Sequence, residues 1–95
     1  MDHTNELIAA QQELLAKSLH DIQVETAFTW ARRAWAAYSF AAQPRPDRQR
    51  WIHDASEYVH EALEHSALTR DPAVLAEVSR LIDHGRSMAG LLPGE

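Results

Sequence analysis

Ninety-five residues, 45% of them hydrophobic and 24% charged, suffice for one small globular domain with a modest core. The absence of cysteine excludes disulfides, thiolate nucleophiles and every Cys-ligated zinc or iron–sulfur site. The net charge of −5 arises wholly after residue 50, where eight acids meet only Arg70, Arg80 and Arg86, so a basic footprint for nucleic acid or for an anionic membrane is missing.

At the start, Met1-Asp2-His3-Thr4-Asn5-Glu6 is polar and acidic, without the basic and apolar regions of a secretory signal. No apolar run approaches the roughly 18 residues of a membrane span. Together with the lack of cysteine, these features lead us to expect a cytoplasmic protein.

Residues 5–43 read as one long helix carrying two different faces. At about 100° per residue, Ala27, Ala31, Ala34, Tyr38 and Ala41 share one side, flanked by Trp30 and Ala37 and by Phe28 and Trp35. Small residues at the centre let a neighbouring helix approach while the aromatics wrap it. Upstream, Leu7, Ile8, Leu14, Leu15, Leu19 and Ile22 form a second apolar face that points roughly the opposite way. Between His20 and Thr26 nothing breaks the helix; Ile22, Val24 and Thr26 are β-branched and only mildly unfavourable. A continuous helix then needs partners on two sides. The simplest second partner is another copy of the chain, so residues 7–22 are expected to be an oligomerisation segment. A kink near residues 20–26 would instead fold both faces onto one core.

Pro44-Arg45-Pro46 ends the first helix, and a second is expected over residues 47–68. Trp51, Ile52, Ala55, Tyr58, Val59, Ala62, Leu63 and Ser66 fall on one side of it. The other side concentrates histidines among acids, from His53 to His65. A third helix starts where Asp71 can cap free amides and Pro72 suits the first helical position, and it stops at Gly90-Leu91-Leu92-Pro93-Gly94. Its stripe of Val74, Leu75, Val78, Leu81, Ile82, Met88 and Ala89 is interrupted by Gly85, which predicts a close helix crossing there. The fold class is thus all-α: a three-helix chain forming a helical bundle, completed by homo-oligomerisation.

Glu57-x-x-His60 has the spacing with which two side chains on one helix face share metal ions in di-iron carboxylate sites. With Glu25 about thirty residues upstream in the first helix, the pattern resembles the encapsulated ferritins. That resemblance implies an iron-oxidising site between subunits, with Glu25, Glu57 and His60 as ligands and iron as cofactor. The helical wheel puts the His/Glu stripe away from Ile52, Val59 and Leu63, and Glu25 away from the Ala/Trp face. In a single chain, these residues therefore form a solvated face of ion pairs. Neither a nucleophile motif, a phosphate loop nor His-Glu-x-x-His occurs. Arg32, Arg33, Arg45, Arg48 and Arg50 lie on a polar face or in the turn, not converging as the small helical chorismate mutases require. Trp30, Trp35, Tyr38, Trp51 and Tyr58 are expected to be core, with a pocket between helices as the alternative. The reading adopted is a non-catalytic helical interaction module acting as a homo-oligomer, whose acidic second half suits a basic protein partner.

Overall fold

A computed structural model describes residues 3–91 and shows three helices in chain order, α1 (His3–Ala41), α2 (Arg48–Thr69) and α3 (Pro72–Met88). Among the described residues there is no strand, and no helix is long and apolar enough to cross a membrane. The boundaries fall within two or three residues of those expected, as frayed helix ends normally do.

α1 is continuous over 39 residues, about 58 Å at the helical rise. The β-branched stretch does not interrupt it. The Thr26 hydroxyl donates to the Ile22 carbonyl at 2.8 Å, and that of Thr29 to the Glu25 carbonyl at 2.9 Å, so both hydroxyls are satisfied inside the helix.

Only the C-terminal half of α1 is packed. It lies against both α2 and α3, more extensively against α2, while α2 and α3 touch one another least. The core is alanine-rich: Ala27, Ala31, Ala34, Ala37 and Ala41 of α1 meet Ala55, Val59 and Ala62 of α2 and Val74, Val78 and Ile82 of α3. Small side chains on facing helices allow the close approach that the aromatic flanks then seal. Gly85 marks a close crossing. A Cβ built there would stand 2.9 Å from Tyr38 Cδ2 and 3.3 Å from Trp35 Cα, so the absence of a side chain is a condition of the α1–α3 contact.

The helix ends are tied by polar side chains. Asp71 accepts from the Ala73 amide at 2.9 Å, and Pro72 opens α3, as its sequence indicates. Arg48 joins three elements at once: Nε donates to the Ala41 carbonyl at 3.1 Å and Nη2 to the Ala89 carbonyl at 2.8 Å. It thereby satisfies carbonyls left over at the ends of both α1 and α3. In the α1–α2 turn, Asp47 accepts from Arg45 Nε at 2.8 Å and from Trp51 Nε1 at 3.1 Å. Arg45 also lies over the Phe40 and Trp51 rings, 5.4 and 5.7 Å from their centroids.

Candidate functional site

The opposed faces of α1 determine what is left uncovered. Because the helix runs unbroken through residues 20–26, the side that packs on α2 and α3 at Ala27 cannot be the side that carries Leu7, Ile8, Leu14, Leu15, Leu19 and Ile22. All six are exposed, from 46% at Ile8 to 69% at Leu15. Residues 3–23 therefore project as an arm beyond the three-helix body, and the molecule measures 69 × 24 × 14 Å. Scattered exposed leucines are normal on a monomer, but six on one face of an unsupported helix form a contiguous patch.

The charged residues of the arm avoid that patch. Glu13 and Lys17 fall on its far side, and the interior of the apolar face contains only the uncharged Gln11 and Ser18. A face so composed suits another apolar helix and offers no chemistry of its own.

The His/Glu stripe of α2 is where the wheel puts it, facing outward. His53 Nε2 stands 3.3 Å from Glu57 Oε1, and His60 Nε2 stands 3.6 Å from Glu64 Oε2. His65 pairs with Glu61 in the same i,i+4 manner at 3.6 Å. Each of the two outermost pairs is largely solvent-exposed, where such pairs contribute a few tenths of a kcal/mol once the imidazole is charged. Glu25 lies on α1 with its side chain exposed, 4.0 Å from the Arg32 guanidinium. Among the described residues no three of His, Asp or Glu come close enough to hold a metal ion. One chain does not gather Glu25, Glu57 and His60 into a ligand set; an ion bound there would need side chains of a second copy.

The aromatic side chains divide between core and groove. Tyr38 is buried, and its hydroxyl accepts from Arg86 Nε at 3.4 Å. Trp30, Trp51 and Tyr58 are half-buried along the α1–α2 seam. The Trp30 and Tyr58 rings lie 5.8 Å apart, and beside them runs an open groove of about 610 Å³ that also touches His53, Glu57 and His60. Arg33 caps the Trp30 ring at 4.9 Å. On the α1–α3 seam, Trp35 Nε1 donates to His84 Nδ1 at 3.0 Å and the two rings stack. In that bond Nδ1 is the acceptor. No sequence motif signals this pair, because it joins residues 49 positions apart on different helices. Comparison of the chain with protein-family models, with curated proteins and with solved structures gives no match, so the likeness to encapsulated ferritins stands on its three residues alone.

Proposed function

We propose that this chain is a non-catalytic helical interaction module that works as a homo-oligomer, in the manner of an adaptor, inhibitor or assembly component, and that it acts in the cytoplasm. The observation that carries this reading is the arm: six exposed aliphatic side chains on one face of a helix that the body of the same molecule cannot reach. Leaving such a face in water is unfavourable by about 25 cal/mol for each Å² of apolar surface, so a second helix seated on it is strongly stabilised. The residues after 50, which together carry the whole net charge of −5, then remain outside the oligomer contact, available to steer a basic protein partner.

The test is mass in solution. Light scattering at tens of micromolar, roughly the range in which weak dimers populate, should find a dimer or larger species. Leu15→Glu with Leu19→Glu should return it to monomer with the body still folded, because neither side chain touches the core. A monomeric unmodified chain would remove the proposal.

A further inference from the structure

The arm carries more than a patch; its central row reads the same in both directions. Ile8, Leu15 and Ile22 recur at intervals of seven residues, and such a row drifts by only about 20° per heptad on a straight helix. Leu7 and Leu14 widen the row on one side and Leu19 on the other. The row is symmetric about Leu15, with an isoleucine seven residues to either side and a threonine, Thr4 or Thr26, eleven to either side. Reversing the helix leaves the Ile8–Leu15–Ile22 row unchanged, while the flanking Leu7, Leu14 and Leu19 fall on Gln23, Ala16 and Gln11. From this we infer that two copies pair through their arms antiparallel, overlapping from Ile8 to Ile22, with the two-fold axis passing close to Leu15. The inference rests on the homo-oligomeric reading above and gives that reading a geometry.

Three physical arguments select this arrangement. The first is area. The six exposed side chains present on the order of 600 Å² per copy, the size of the largest apolar patch that a monomer ordinarily leaves open. Two copies face to face would cover at most about 1,200 Å², where specific interfaces begin. The second argument is extent. With Leu15 on the axis, the arm reaches from one body to the other: Thr4 of one copy arrives beside Thr26 of its partner, where α2 and α3 begin to cover the opposite side of α1. The bodies offer no obstruction, because they grip the face that points away.

Charge provides the third argument, and it separates antiparallel from parallel. α1 is continuous, so its outward face runs on into the body as Glu25, Thr29, Arg32, Arg33 and Phe40, with Glu25 paired to Arg32 and Arg33 left as the cation nearest the row. In-register parallel pairing would bring the Arg33 guanidinium of each copy toward its counterpart. It would also place the two bodies side by side, each with a net charge of −2 (ten acids against eight arginines after residue 23). Antiparallel pairing sends the bodies to opposite ends, separated by an arm of about 30 Å, far beyond the roughly 8–10 Å over which salt leaves charges in contact. It also sets the two helix dipoles head to tail.

The chain has no cysteine, so single introduced thiols report the geometry directly. Under mild oxidation Leu15→Cys should crosslink to a covalent dimer. Ile8→Cys alone and Ile22→Cys alone should stay monomeric on a denaturing gel, whereas a mixture of the two should yield the crosslinked pair. These positions are all exposed in the single chain, so the body of each variant should melt as the parent does. If scattering finds a dimer but Ile8→Cys crosslinks to itself, the antiparallel inference is overturned while the homo-oligomeric reading survives. A parent chain that is monomeric at tens of micromolar overturns both, and leaves the arm to a different protein or to a lipid surface.

Discussion

At Gly85, where α3 crosses α1, the packing leaves no room for a side chain. Any Cβ there would lie 2.9 Å from the buried Tyr38 ring and 3.3 Å from the Trp35 backbone, and backbone does not yield as the tip of a flexible side chain does. Alanine would gain about 1 kcal/mol in helix propensity, but overpacking a closed core costs about 1–3 kcal/mol. Gly85→Ala should therefore destabilise by roughly 1 kcal/mol and Gly85→Leu by more, read from urea unfolding midpoints; a stabilised Gly85→Ala would mean that α3 does not cross α1 at this point. Asp47 is a residue-scale effect of another kind. The hydrogen bond from Arg45 holds its carboxyl below the ordinary carboxylate range, with a further contribution from Trp51. A pKa depressed in the folded state gives stability that is present above the unfolded value, about 4, and is lost as pH falls through the folded value. Asp47→Asn should melt below the parent at neutral pH, and the two curves should converge in strong acid. A gap that persists unchanged at low pH would show that the turn does not depend on the ionised carboxylate.

At the level of single elements, the helices, the cap at Asp71 and the glycine crossing are all legible in the sequence, because each rests on local periodicity or backbone chemistry. The same is true of the arm: its face is opposed to the core face simply by counting residues along a continuous helix. What was not legible depends on which helices touch. Leu63 and Leu75 belong to apolar stripes, yet they are 38% and 42% exposed, since α2 and α3 each use α1 as their main neighbour and leave the margins of their own stripes uncovered. The same sparse contact leaves Trp30, Trp51 and Tyr58 half-buried where a full core was expected. Arg48 reads as an ordinary turn cation until the chain ends it bridges are brought together. The outward stripe of α2 yields a prediction at this scale. Glu57 and His60 already have partners four residues away in His53 and Glu64, so Glu57→Ala and His60→Ala should each change stability by less than about 0.5 kcal/mol. Added Fe(II), Mn(II) or Zn(II) should leave the melting temperature where it was. A bound ion at 100 times its dissociation constant would stabilise by about 2.7 kcal/mol. A metal-dependent rise that is abolished by these two substitutions and by Glu25→Ala would establish the iron-site reading in place of the one proposed.

The molecule as a whole is too long for its length of chain. Its radius of gyration is 18.3 Å, against about 12–13 Å for a compact domain of this size, and the excess is the arm. A helix of roughly 20 residues with no tertiary contact is marginal in water. The arm's helicity and its pairing are therefore expected to rise together. If two arms pair, the native state gains free energy by mass action, and dilution withdraws it. The full chain should then melt at a higher temperature as its concentration is raised, and far-ultraviolet circular dichroism should show helix lost on dilution. Deleting residues 1–22 removes the paired surface but none of the buried core, which begins at Ala27. The shortened chain should fold, melt at one temperature whatever its concentration, and scatter as a monomer. The two species together make the measurement decisive. Helicity and melting temperature of the full chain that stay constant from low micromolar to hundreds of micromolar would mean that the arm is a stable helix on its own, with no second copy needed to hold it.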